Sequence, residues 1–149
     1  MCIRDRYLFV GGFRSIVRID MLQFMLMFAG FIVLLSFLIS THGVVPFIPQ
    51  HVPAANLTPT GGNSWQYVAV WFFIALWTLV APQFHQFTLS AASPRTARLG
   101  IVWSVAFWLL FDAMTTLSGL YARALLPDLG QATMAYPALG EAVLPAFAK

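Results

Sequence analysis

The sequence has few charges and a single cysteine, and both shortages exclude whole classes of protein. Charged residues make up 9% of the 149 residues and hydrophobic residues 60%, whereas an average globular domain is about 25% charged. So few charges cannot cover the surface of a water-soluble domain of this size. Because Cys2 stands alone, a disulfide framework and a thiolate metal site are excluded. An aromatic content of 15% excludes disorder, which leaves an integral membrane protein.

A concentrated basic surface is also missing. The eight lysines and arginines lie in small groups between apolar runs, so no basic face could follow a phosphate backbone, and a nucleic-acid partner is excluded. The three histidines, His42, His51 and His85, fall on different segments and cannot form one metal site. We therefore expect no resident metal or other cofactor in this chain.

Three apolar runs are long enough to cross a bilayer, which takes about 20 helical residues. The first is residues 21–40, the second is 65–86 and the third is 99–121. The second run contains Pro82 near its end, where we expect a kink or a break. The sequence thus predicts an all-α membrane protein with three transmembrane helices.

Basic residues set the expected orientation, because they favour the cytoplasmic side. Residues 1–20 carry four arginines and residues 87–98 carry two, so both segments are predicted to be cytoplasmic. Residues 41–64 carry no lysine or arginine and are predicted to be extracellular. Residues 122–149 are also predicted to be extracellular, with a turn at 135–137 followed by a short amphipathic helix at 138–144.

The two ends of the sequence do not resemble natural termini. Residues 1–6, MCIRDR, do not begin a signal peptide and resemble a non-native scar. The sequence stops at Lys149 without a terminating signal. We expect an internal piece of a longer, multi-pass protein of the cell membrane, which in a bacterium is the inner membrane.

Asp112 is the most unusual residue of the third run, because an ionised carboxylate is costly within a bilayer. Thr115 and Thr116 follow three and four residues later and share its helical face, where a hydroxyl can donate to the carboxylate. These three residues are candidates for an ion or substrate path. The alternative is a buried acid that bonds a neighbouring helix and only fixes its packing.

Pro82 marks a second candidate site, in the 65–86 run. A proline has no N–H, so the carbonyl of Thr78 loses its helical partner and must be satisfied by protein, water or a bound solute. Broken helices form transporter sites near the bilayer midplane. Trp77, Thr78 and Gln83 are therefore candidate solute-binding residues. The alternative is that Pro82 only ends or kinks the span near the cytoplasmic surface.

Asp20 also has two interpretations. The residues DMLQ at 20–23 resemble a capping box, in which Asp20 is the N-cap and Gln23 the third helical residue. A helix that begins there would also favour the carboxylate through its dipole. The second interpretation places Asp20 on a cytoplasmic ion exit.

Three stretches resemble the sodium:solute symporter family. The first is GGFRSIVRIDMLQ at 11–23. The second is QFHQ at 83–86, with LSAASP at 89–94 and ARLG at 97–100, and the third is GLYAR at 119–123, with AYP at 135–137 and LP at 144–145. In their order and spacing they cover nearly the whole chain. Ile19 and Phe87 depart from the family pattern, which usually has threonine and arginine at these positions.

The resemblance implies a fold of two inverted repeats of five helices, of which this chain would hold core helices five to seven. It also implies secondary active transport, in which sodium entry drives the uptake of a small organic solute. The family's first stretch carries an aspartate linked to the cytoplasmic sodium exit, which maps onto Asp20, and the sixth core helix, here 67–86, lines the solute site. The implied partners are sodium, the solute, the lipid bilayer and the missing helices of the parent protein.

Functions from different classes remain open at this point. The leading hypothesis is a fragment of a sodium-coupled symporter, which is not an enzyme. The alternative is a small, non-transporting, three-span subunit or scaffold that acts by helix packing. A membrane enzyme that uses Asp112 with His85 is disfavoured, because the two residues are predicted to lie at opposite membrane depths.

Overall fold

The computed structural model describes residues 3–145, and it describes side chains for residues 11–145 except Gln83. Every regular element in this part of the chain is helical, as the sequence predicts. The α-helices are α1 (Ile3–His42), α2 (Phe47–His51), α3 (Trp65–Ala75), α4 (Pro82–Leu89), α5 (Pro94–Leu125) and α6 (Ala135–Val143). Short 3-10 helices lie at Ala54–Leu57, Leu76–Leu79 and Ala132–Met134.

The helices Gly11–His42 and Pro94–Leu125 are both long and apolar enough to cross a membrane. Each has 32 residues, which corresponds to about 48 Å of helix and exceeds the hydrocarbon thickness of about 30 Å. Only 17% and 6% of their most apolar stretches are buried, whereas a core helix of a soluble protein is mostly buried. Their free apolar faces therefore suit lipid or further membrane helices.

Helix α1 begins at Ile3, well before residue 21, where the first span was predicted to begin. It is continuous through Asp20, with one kink at Gly12, where φ is 61° and ψ is −165°. The capping-box interpretation of Asp20 is wrong, because an N-cap must precede the first helical residue and Asp20 lies eight residues beyond the kink. The physical reason is that residues 13–20 contain neither glycine nor proline, so the helix of the apolar run extends through the preceding arginine-containing segment.

Helix α5 begins at Pro94, which makes it longer than the predicted 99–121 span at both ends. Ser93 is its N-cap, and the Ser93 hydroxyl accepts a hydrogen bond from the Thr96 N–H at 3.2 Å. A proline at the first helical position is favourable, since its missing N–H would have no partner there. The connection to the preceding helix is thus reduced to residues 90–93.

Helix α6 begins at Ala135, so the predicted turn at 135–137 is wrong. Pro137 is the third residue of the helix. The first turn of a helix has no intrahelical partners for its N–H groups, so a proline at this position breaks no hydrogen bond. The 3-10 helix Ala132–Met134 leads directly into α6.

Helices α1 and α5 run parallel to each other. The rings of Phe24 and Phe107 lie 5.3 Å apart, and further along both helices the rings of Phe31 and Phe111 lie 5.1 Å apart. Beyond them, the Tyr121 hydroxyl donates to the carbonyl of Gly43 at 2.6 Å. Since the contacts advance in the same direction on both helices, the chain between them must return along their length, and it does so through α3 and α4.

The core lies where the C-terminal halves of α1 and α5 meet α2 and α6. Its buried apolar side chains are Leu34, Leu35, Leu38, Ile48, Val52, Met114, Tyr121, Ala122 and Leu139. By contrast, α3 and the 3-10 turn Leu76–Leu79 contain no buried residue. The returning segment therefore presents its apolar side chains outward.

Candidate functional site

The 65–86 run is interrupted between α3 and α4. Helix α3 ends at Ala75, the 3-10 turn Leu76–Leu79 follows, and Ala81 is extended, with φ of −69° and ψ of 119°, before Pro82 begins α4. The residue before a proline is restricted to such extended conformations. We call residues 76–82 the break.

Hydrogen bonding in the break leaves the backbone carbonyl of Thr78 without a helical donor. The N–H groups of Val80 and Ala81 both donate to the carbonyl of Trp77 at 3.0 Å. The next residue, Pro82, has no N–H, so the Thr78 carbonyl receives no backbone donor from the turn that follows. The Thr78 hydroxyl donates back to the Ala75 carbonyl at 2.8 Å. The break thus offers a carbonyl acceptor in an apolar run.

His85 of α4 contacts the break, although it was not among the predicted site residues. Its Nε2 atom lies 2.8 Å from the carbonyl oxygen of Leu79. Because a carbonyl can only accept, Nε2 must carry the proton of this hydrogen bond. The two residues are six positions apart, a separation that no helical periodicity produces, so no sequence signal could have revealed the bond.

The three candidate solute residues lie in or beside the break. Trp77 is 68% exposed, and Thr78 is partly buried. Gln83 lies in the first turn of α4, and its side chain is outside the described residues. An exposed indole thus lies next to a carbonyl without a helical partner, an arrangement that can combine ring contact with hydrogen bonding.

The hydroxyl groups near Asp112 bond the backbone. The Thr115 hydroxyl donates to the Asp112 backbone carbonyl at 3.1 Å, so it is not the hydroxyl that could donate to the carboxylate. The reason is that a threonine hydroxyl in a helix readily reaches a carbonyl three or four residues back. Asp112 and Thr116 are exposed on α5. Tyr136 of α6, which sequence reasoning missed, donates to the Thr115 carbonyl at 3.2 Å.

Asp20 and Asp112 lie at different heights along the helix pair. Asp20 is partly buried on α1, and Phe31, which contacts Phe111 next to Asp112, is eleven residues further along α1. This corresponds to about 16 Å of helix, which is too far for the two carboxylates to bind one ion together. Among the residues that the structure describes, no group of histidine, cysteine and acidic side chains could hold a metal. The two acids therefore cannot act as ligands of the same ion.

A cavity of about 580 Å³ lies between α1 and α5. It is lined by Phe24, Met27, Phe28, Trp103, Ser104, Phe107, Trp108 and Phe111. Hard cations prefer oxygen ligands, and the Ser104 hydroxyl is the only side-chain oxygen in this lining. The cavity therefore suits apolar contacts, not an ion, and Trp103 is one of the side chains that supply them.

Long helices with free apolar faces, together with a broken apolar segment that returns between them, define an α-helical membrane protein. A family model described as the sodium:solute symporter family matches residues 2–149. The chain therefore belongs to the sodium:solute symporter family, and the resemblance seen in its three sequence stretches is confirmed. Searches of curated proteins and of solved structures found no match.

Membership places the chain in a family of transporters, not of enzymes. The enzyme alternative, which pairs Asp112 with His85, receives no support from the structure. The His85 ring is engaged by the Leu79 carbonyl within its own segment, and Asp112 lies on a different helix.

Proposed function

We propose that this chain is the part of a secondary active transporter that contains core helices five to seven of a ten-helix inverted-repeat fold. The parent protein couples sodium entry to the uptake of a small organic solute across the cell membrane, in a bacterium the inner membrane. Family membership supports the transport class. The residues missing from this chain would supply the remaining helices, and the bilayer would cover the exposed apolar faces.

The observation that carries the proposal is the parallel pair of long helices joined by a broken return segment. Two parallel helices that both span a bilayer require the chain between them to cross it once more. Residues 65–89 are the apolar segment available for this crossing, and they contain the break. A crossing helix with a break leaves backbone carbonyls in the bilayer, which is tolerated only where protein or a water-filled cavity surrounds them.

The solute site lies at the break in this proposal. Trp77 would contact the solute with its ring, while the Thr78 carbonyl and Gln83 would accept or donate hydrogen bonds. Ligand sites combine mostly apolar walls with a few placed polar groups, and the break has this composition. His85 holds α4 against the Leu79 carbonyl and so keeps the break open.

The ion path uses Asp20 towards the cytoplasmic end of α1, with Asp112, Thr115 and Thr116 further along α5. An intramembrane carboxylate without a partner is costly, so the exposed Asp112 requires a partner group or an ion from outside the described residues. Sodium is the coupling ion in this proposal and not a resident cofactor.

The proposal is tested by transport in proteoliposomes that contain the full-length parent protein. Radiolabelled amino acids, sugars and carboxylates are screened for uptake under an inward sodium gradient, with an equal potassium gradient as the control. We expect accumulation of one solute class only with sodium. If no solute in the screen is accumulated and the protein instead co-purifies with another membrane protein whose activity it supports, the non-transporting subunit is the better account.

A further inference from the structure

The broken return segment has few attachments to the two long helices. Neither α3 nor the 3-10 turn contains a buried side chain. At the other end of the segment, the ring of Phe87 in α4 lies 5.4 Å from the ring of Phe13 in α1, tilted by 41°. We call Phe13 and Phe87 the coupling pair. It joins the helix that follows the break to the beginning of the continuous part of α1.

The backbone holds Phe13 in place from one side. Gly12 has φ of 61° and ψ of −165°, a region that is essentially restricted to glycine. Phe13 is the first residue after this kink, and the helix then continues without interruption to Asp20. A displacement of Phe13 is therefore passed along about two helical turns to the acid on the proposed ion path.

Phe87 is connected to the break in the same way. It lies five residues after Pro82 in the short helix α4. Between them, His85 donates to the Leu79 carbonyl at 2.8 Å, which ties α4 to the 3-10 turn that carries Trp77 and Thr78. A movement of the break would therefore move Phe87, because both are joined through the eight-residue helix α4.

We infer that the coupling pair positions α4 against α1 and thereby links the solute site at the break to the ion path at Asp20. Both are positioning residues, since neither ring belongs to the proposed solute site or ion path. The inference rests on the proposed function, because it assigns the link between its two sites.

The test uses sodium alone as the probe, so it does not require the solute to be known. Leu89, at the end of α4, is 84% exposed; in a parent protein whose native cysteines are all replaced by serine, Leu89→Cys reports on the position of α4. Its alkylation rate by N-ethylmaleimide is measured in sodium chloride and in potassium chloride at equal ionic strength. We expect sodium to change the rate about two- to tenfold, the range of an aromatic pair contact.

The coupling pair predicts a specific pattern among variants. Phe13→Ala and Phe87→Ala should each abolish most of the sodium effect, and the double variant should lose no more than either single variant, because the two rings act as one unit. Phe87→Tyr should retain the effect. Phe84→Ala is the matched control, since Phe84 lies on the same helix, is 40% exposed against 44% for Phe87, and has no ring contact among the described residues.

The outcomes separate the inference from the proposed function. If sodium leaves the labelling rate of the parent protein unchanged, or if Phe87→Ala keeps the full effect in protein of normal membrane abundance, the coupling pair is refuted. Additive losses in the double variant would refute it as well. If Phe87→Ala fails to reach the membrane, Phe87→Leu takes its place in the cycle. Sodium-driven uptake is measured separately, so its absence beside an intact sodium effect on labelling would overturn the proposed function alone.

Discussion

Trp77 is the residue through which the solute site can be tested most directly. Its indole is 68% exposed and adjoins the Thr78 carbonyl, which has no helical donor. If the ring stacks on the solute, Trp77→Ala should raise the apparent KM for the transported solute about tenfold or more, since a lost stacking contact costs about 1–3 kcal/mol. Saturating solute should restore much of the uptake rate.

Trp103 is the matched control for this prediction. It is 62% exposed, lines the apolar cavity between α1 and α5, and its ring lies 6.2 Å from that of Phe107. Trp103→Ala should leave the KM nearly unchanged. Equal effects of the two substitutions on KM would show that Trp77 is a packing residue and that the solute binds elsewhere.

Asp112 can be tested by removing its charge with little change in shape. The Thr115 hydroxyl donates to the Asp112 backbone carbonyl and not to the carboxylate. An ionised carboxylate on the exposed face of α5 therefore requires a cation or a hydrogen-bond donor to offset its charge in the membrane. If that cation is the transported ion, Asp112→Asn should reduce sodium-dependent uptake at least about tenfold while membrane abundance is unchanged. The measurement is initial uptake rate against sodium concentration, normalised to protein in the membrane.

The same variant also examines the packing interpretation of Asp112. If the carboxylate only bonds a neighbouring helix, the amide should lower membrane abundance, and the uptake per molecule should remain normal. Ser104→Ala provides the comparison, since Ser104 is exposed on the same helix and lies outside the proposed ion path. A fall in abundance for Asp112→Asn with normal uptake per molecule would remove Asp112 from the ion path.

At the scale of the element, the break depends on Pro82. In Pro82→Ala the new N–H can donate to the Thr78 carbonyl and allow α3 to continue into α4. We expect a continuous helix, higher thermal stability in detergent and a loss of uptake of about tenfold or more. Uptake and melting temperature are measured on the same preparation. Normal uptake in a variant with increased stability would mean that the break is dispensable and that Pro82 merely ends a span.

The long helices could be predicted from the sequence, but their ends could not. An apolar run of about 20 residues identifies a crossing segment, and the described helices include the runs at 21–40 and 99–121. Their extensions depend on local chemistry outside the apolar run. In α1 the irregular backbone lies at Gly12, in a conformation that only glycine readily adopts, and not at Asp20. In α5 the Ser93 cap and Pro94 begin the helix five residues before the predicted span.

The break could be located only approximately, for a related reason. Pro82 indicates that a helical hydrogen bond is missing, but the chain leaves the α-helix already at Leu76. The additional turn is bonded through the Thr78 hydroxyl and the His85 ring. These contacts depend on the fold of the backbone around them and follow no repeating sequence pattern. The position of Asp112 on α5 was predictable, whereas the partner of Thr115 was not.

At the scale of the whole molecule, the parallel helix pair brings basic residues to one end. Arg14 and Arg18 lie at the beginning of α1 after its kink, and Arg95 and Arg98 lie in the first turns of α5. All four are exposed. The opposite end holds the connection at residues 43–64, which has no lysine or arginine. Since basic residues favour the cytoplasmic side, this charge separation supports one orientation for both helices.

The orientation predicts which side of the membrane each connection occupies. Ala92, between α4 and α5, and Asn56, between α2 and α3, are both exposed and can each be replaced by cysteine in a parent protein whose native cysteines are all replaced by serine. In intact cells, Asn56→Cys should react with a membrane-impermeant maleimide, and Ala92→Cys should react only after permeabilisation. Reaction of Ala92→Cys alone would reverse the orientation. Equal reaction of both in intact cells would mean that residues 65–89 do not cross the membrane, which would contradict a parallel pair of spanning helices and with it the three-span arrangement.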